Sequence, residues 1–88
     1  MKLEFRESFS KDIDKIKDKA VKASALNLIE KARVVNQLSD LPNVKKLKGG
    51  NHFYRIRVGD YRIGIEYKNS TIIFRRFLLR KDIYKYFP

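Results

Sequence analysis

The sequence predicts an α+β domain: a small twisted antiparallel sheet of about four strands, packed against an N-terminal helical hairpin and followed by a short C-terminal helix. Three observations carry that expectation. Residues 54–67 alternate apolar and polar positions in two consecutive runs, residues 11–38 carry a helical apolar stripe without Gly or Pro, and 88 residues suffice for one core only. The expected organisation is a single domain over 1–88.

The sheet is clearest between Tyr54 and Tyr67. Tyr54, Ile56 and Val58 alternate with Arg55 and Arg57, and Tyr61, Ile63, Ile65 and Tyr67 alternate with Arg62, Gly64 and Glu66. A period of two gives each strand one apolar and one polar face. Gly59-Asp60 fits a two-residue hairpin loop, which sets Val58 opposite Tyr61, Arg57 opposite Arg62, Ile56 opposite Ile63 and Arg55 opposite Gly64. Like charges directly opposed cost a sheet roughly 0.2–1 kcal/mol, so an anion is the simplest reason to place Arg57 across from Arg62. Thr71 to Phe77 reads as the next strand after a turn at Lys68-Asn69-Ser70. Pairing Lys68 with Thr71 sets Gly64 beside Arg75 and Arg62 beside Phe77. Arg55, Arg57, Arg62 and Arg75 then share one face around a glycine floor.

Before the hairpin, Lys2 to Glu7 alternates as a short first strand. Ser8 or Ser10 can cap the helix that follows, with Asp12 and Asp14 in its first turn, where negative charge suits the helix dipole. Ile13, Ile16, Ala20, Ala25, Leu28, Ala32 and Val35 continue one stripe. One helix of that length is long for so small a globule, so a two-helix hairpin with its corner near Lys19 to Ala23 is expected. Leu41-Pro42 ends the helical region. Lys45, Lys46 and Lys48 flank Leu47, an expected core anchor in a loop leading through Gly49-Gly50. At the C-terminus a short helix puts Ile83 and Phe87 on one face and Arg80 near Tyr84.

Composition narrows the chemistry. Twenty-one Lys and Arg against ten Asp and Glu leave a net charge of +11, which calls for a polyanionic partner. Cysteine is absent, His52 is the one histidine, and Asp12, Asp14 and Asp18 are expected on a helix surface among lysines. No metal site and no small-molecule cofactor follow from such a set. No nucleotide fingerprint, phosphate-cradling loop or serine elbow is present. No run reaches the length of a membrane span, and Met1 to Phe5 lacks a signal-peptide core. A chain without membrane contact, at home in a reducing cytoplasm, is expected.

Arginines, lysines and a tyrosine converging beside them suit phosphodiester cleavage in RNA without a metal. RNA brings its own nucleophile, the 2′-hydroxyl, and cationic groups can clamp the phosphate as charge grows on it. Arginine stays protonated, so proton transfer falls to Tyr84, a lysine, or Glu66 if it reaches the site. Arg75, Arg76, Lys81 and Lys85, with Lys45, Lys46 and Lys48, are candidates for gripping RNA backbone.

These residues also carry a family resemblance. Lys46-Leu47-Lys48-Gly49, Tyr54-Arg55-Ile56-Arg57-Val58-Gly59-Asp60-Tyr61-Arg62 and Arg80-Lys81-Asp82-Ile83-Tyr84, in that order, resemble the RelE/ParE superfamily of type II toxin-antitoxin modules, closest to its RelE-like mRNA interferases. The resemblance implies a cytoplasmic, ribosome-dependent endoribonuclease that cuts mRNA in the ribosomal A site among rRNA, neutralised by a cognate antitoxin. It places Arg55, Arg57, Arg62, Arg80 and Tyr84 at the family's catalytic positions. The chain departs from the family's pattern in one place: Leu78-Leu79 precede Arg80 where many relatives carry histidine, which implies weakened proton transfer there. The same superfamily includes ParE-like gyrase inhibitors, which have no need of a phosphate-clamping set, and a nonenzymatic RNA-binding sheet is the other alternative.

Overall fold

A computed structural model describes residues 1–50 and 52–88. Five strands, β1 (Lys2–Phe5), β2 (Val44–Lys46), β3 (Phe53–Val58), β4 (Tyr61–Lys68) and β5 (Thr71–Leu79), form one sheet in the order β1-β5-β4-β3-β2. The helices are α1 (Glu7–Lys15), α2 (Lys19–Val34) and α3 (Arg80–Tyr86), with a 3₁₀ turn at Leu38–Asp40. The expected α+β architecture is present, with two additions. β2 arises from the lysine-rich stretch expected as a loop, and β1 joins β5 in parallel within an otherwise antiparallel sheet.

The β3–β4 register is the one the alternation predicts, Arg57 opposite Arg62 and Arg55 opposite Gly64 included. Gly59 alone takes positive φ in the loop, +58°, as the first residue of a type II′ turn does. In the β4–β5 loop Asn69 and Ser70 both take positive φ, the type I′ pattern.

The helical hairpin turns at 16–18, a little before the expected corner. Asp18 determines it: its side chain accepts from the backbone N–H of Ala20 and Val21, capping α2. At α1 the expected cap is corrected. Arg6 is the N-cap and has no acceptor to offer, Ser8 and Ser10 lie inside the helix, and Glu7, not Asp12 or Asp14, is the acidic residue of its first turn.

Both α1 and α2 lie on one face, where Phe9, Ala25, Leu28, Ile29 and Ala32 pack with Ile56, Ile63, Ile65, Ile72, Phe74 and Phe77. Each large side chain so buried contributes about 1.5–3 kcal/mol. No described helix is long and apolar enough to cross a membrane.

β5 is bulged, which corrects the expected pairing. From Lys68↔Thr71 the register runs to Ile65↔Phe74, then resumes one residue later with Gly64↔Arg76, Ile63↔Phe77 and Arg62↔Leu78. Arg75 is the extra residue. β1 ends opposite Phe74, so the outer edge of β5 beyond that point is satisfied by α1 instead of a strand. The Arg6 N–H donates to the Phe74 carbonyl at 2.9 Å, the Ser8 hydroxyl to the Arg75 carbonyl at 2.6 Å, and the Phe77 N–H to Asp12 Oδ2 at 2.9 Å. Asp12 is therefore buried, not on a solvated helix surface as its sequence neighbours suggest.

The opposite face carries a smaller apolar layer under α3. Ile73, Ile83 and Phe87 are buried there, outside the main cluster, and the Phe87 ring meets Phe53 edge-on at 5.6 Å. The rest of that face is left to the arginines.

Candidate functional site

β3 and β4 deliver Arg55, Arg57 and Arg62 to the face opposite α1 and α2, because these positions alternate with Ile56, Val58 and Ile63 of the core. β5 then passes directly into α3. The Arg80 N–H donates to the Asp60 carbonyl at 2.9 Å, which docks the start of α3 on the β3–β4 loop.

Arg62 is the centre of the group. It is only 8% exposed, and its Nη1 donates to the Gly59 and Tyr61 carbonyls, each at 2.9 Å. Among the described residues its Nε is buried without a hydrogen-bond partner, as is the Nε of Arg55. Burial lowers the Arg62 pKa from its ordinary value, the positive fields of Arg55, Arg80 and Arg57 lower it further, and Tyr84 acts in the opposite sense. These are the cationic and phenolic groups singled out in the sequence, brought near one another from three elements. Among the described residues, no carboxylate makes an ion pair with Arg55, Arg57, Arg62 or Arg80.

Arg55, Arg57 and Arg62 line a cleft of about 400 Å³ with Asn43, Val44 and Lys45, and Arg80 stands outside that lining. A neighbouring cleft of about 420 Å³ is formed by Lys45, Lys46, Leu47, Lys48, Tyr84, Phe87 and Pro88. Lys45 borders both, since β2 pairs it directly with Arg55. Tyr84 is 59% exposed at the edge of the second cleft.

The other candidates stand apart. Arg75 is bound to Glu66 at 2.8 Å, and Arg76 to Asp12 at 2.7 Å. Glu66 also pairs with Lys68 at 3.4 Å. Burial alone would raise the Glu66 pKa, but the hydrogen bonds and charges of Arg75 and Lys68 outweigh it and hold the carboxyl below its ordinary value. Gly64, covered by the Phe87 ring, lies between Glu66 and Arg62 along β4. Lys81 and Lys85 are exposed on α3 and line neither cleft. Leu79 pairs with Tyr61 and lines a cleft of about 210 Å³ with Asp12, Ile16 and Arg76, apart from the arginine cleft.

Two contributors were missed from sequence. Asn43, at φ 62°, lines the arginine cleft and its carbonyl accepts from the Arg57 N–H at 3.2 Å. Asp12 was missed because its partners lie 64 and 65 residues away. A local signal for its role does exist. Ile72, Phe74 and Phe77 break a period of two by one residue, as a bulge must. Among the described residues, no three His, Cys, Asp or Glu side chains are grouped as metal ligands would be.

The fold agrees with that of the proteins the chain is similar to. The family model described as "ParE toxin of type II toxin-antitoxin system, parDE" matches residues 3–84. A curated protein, "Toxin RelE3" of Methanocaldococcus jannaschii, is 49% identical over 89 residues, covering all of both chains. Among solved structures, the RelB-RelE antitoxin-toxin complex from Methanococcus jannaschii matches with TM-score 0.82 and 45% identity, over 97% of this chain and 99% of that one. The archaeal RelE-RelB complex from Pyrococcus horikoshii OT3 matches with TM-score 0.70 over 90% and 93%; at 22% identity that likeness is one of fold.

Proposed function

The chain belongs to the RelE/ParE family of type II toxin-antitoxin toxins, and from that premise we propose that it is a ribosome-dependent endoribonuclease that cuts mRNA in the A site. The observation that carries the proposal is the buried Arg62 guanidinium, ringed by Arg55, Arg57 and Arg80 with no carboxylate to balance them. Such a cluster is complementary to a phosphate whose charge grows during displacement.

In this mechanism Arg62 and Arg80 hold the non-bridging oxygens of the scissile phosphate, and Arg55 and Arg57 neutralise charge as the pentacoordinate state forms. The RNA 2′-hydroxyl attacks the adjacent phosphorus, the 5′-oxygen of the next nucleotide leaves, and a 2′,3′-cyclic phosphate results. No metal takes part. The 2′-hydroxyl gives up its proton as it attacks and the departing 5′-oxygen takes one up; Tyr84, exposed at the margin of the lysine cleft, serves this proton transfer. Glu66 takes no part, because it is held by Arg75 and Lys68. Lys45, Lys46 and Lys48 grip the flanking backbone and the surrounding rRNA. The cognate antitoxin is an antitoxin of the RelB kind, by analogy with the complexes of the relatives, and both act in the cytoplasm.

The matching family model is named for ParE, so gyrase inhibition is the second reading. Adding the purified protein to translating ribosomes and, separately, to a gyrase supercoiling assay separates the two. Cleaved mRNA with unimpaired supercoiling is expected. Intact mRNA with blocked supercoiling overturns the proposal.

A further inference from the structure

Asp12 lies on α1, outside both clefts of the site, and is 6% exposed. Its carboxylate is fully engaged: Oδ2 accepts from Arg76 Nε at 2.7 Å and from the Phe77 N–H at 2.9 Å, and Oδ1 accepts from Arg76 Nη2 at 3.2 Å. It therefore joins α1 to β5 just past the bulge, at Arg76 and Phe77, four and three residues before Arg80. The Arg76 guanidinium in turn lies 5.8 Å from the centre of the Tyr86 ring, on α3. An unbroken set of contacts thus runs from Asp12 through Arg76 to the helix that carries Arg80 and Tyr84.

We propose that Asp12, acting through Arg76, is a positioning residue that sets the pose of α3 and thereby the alignment of Arg80 and Tyr84 with Arg62. Four features make a structural staple alone an incomplete account. A buried charged pair is a weak source of net stability, because desolvation offsets its attraction, so it is better suited to specifying a geometry. A two-pronged carboxylate–guanidinium pair fixes orientation as well as distance. β1 ends opposite Phe74, which leaves the end of β5 without a strand on its outer edge, so the direction in which β5 passes into α3 depends on what α1 supplies there. α3 has only seven residues, too short to hold its own place, and its buried anchors, Ile83 and Phe87, lie in its second half and at its end.

The catalytic part of this proposal rests on the nuclease proposal above; the part concerning α3 does not. Asp12→Asn keeps an acceptor for the Phe77 N–H and nearly the same volume while removing the charge. Two measurements are made on Asp12→Asn, Arg76→Ala and the double variant, all under conditions where each melts cooperatively. Amide hydrogen exchange is expected to rise about tenfold for residues 83–86 while Ile63 and Ile65 stay as protected as before. Single-turnover mRNA cleavage on ribosomes is expected to fall roughly 10- to 100-fold, with ribosome affinity within about twofold of the parent. The double variant is expected to be no worse than the poorer single one. Unchanged exchange in α3, or an equal rise through β4, overturns the proposal, as does faster α3 exchange with undiminished cleavage. If the parent protein itself cuts no mRNA, the nuclease proposal fails, and the exchange measurement still decides whether Asp12 holds α3.

Discussion

The Phe87 ring sits directly on Gly64: a Cβ at that glycine would lie 2.6 Å from Cδ2 and 2.7 Å from Cγ. The tail therefore packs on the sheet in the middle of the strand that carries Arg62. Gly64 is there because the ring needs the space, since its own φ is not positive. Gly64→Ala is expected to push Phe87 out of its seat and destabilise the fold by about 1–3 kcal/mol, as overpacking does. Chemical denaturation measures it, and Phe87→Leu in the same background should recover part of the loss.

Arg57 and Arg62 face each other across the hairpin with no acidic neighbour between them. Removing one charge should help the fold and harm the function. Arg57→Thr is expected to raise unfolding stability by about 0.2–1 kcal/mol while slowing mRNA cleavage. Denaturation midpoints and single-turnover rates on the same preparation check both halves.

An anion in the cleft should relieve the same repulsion. At ten times its Kd, inorganic phosphate is expected to stabilise the protein by about 1.4 kcal/mol, several degrees in Tm for a domain this small. Sodium chloride at matched ionic strength should do less. Arg62→Ala is expected to abolish the difference between the two salts, which differential scanning fluorimetry reads directly.

Glu66 supplies a pH dependence. Its pKa in the folded protein is below its ordinary value of 4.5, so the unfolded chain takes up the proton first as pH falls. The stabilisation is present above about pH 4.5 and is lost as pH drops through the lower, folded value. Glu66→Gln is expected to be less stable than the parent at pH 7, with the gap closing in acid. Denaturation midpoints between pH 7 and pH 3 measure it. Cleavage on ribosomes should survive the substitution, because Glu66 is committed to Arg75 and Lys68.

The hairpin and its arginine face were legible in the sequence because a strand's period of two is a local property. Tyr54 to Tyr67 states it twice, and Gly59-Asp60 states where it reverses. The clustering of Arg55, Arg57 and Arg62 follows from that register. Three features were not legible in the same way. β2 has only three residues, two of them lysines, so its pairing with β3 is decided by the neighbour and not by its own composition. The helix corner lies a few residues before the expected one because Asp18, an exposed charge, also caps the start of α2, a role that its lysine neighbours do not signal. The bulge moved Arg75 and Arg76 into internal pairs with Glu66 and Asp12, the first set by the shifted β4–β5 register and the second created only when α1 closes on the edge of β5.

The account stands most directly on a ribosome programmed with an mRNA whose A-site codon carries a single 2′-deoxynucleotide at the scissile position. The all-ribose message is expected to be cut to a 2′,3′-cyclic phosphate end, and the deoxy-substituted one to remain intact at that bond. Equal cleavage of both messages would contradict the central claim, that the arginine cluster holds a phosphate for attack by the RNA's own hydroxyl.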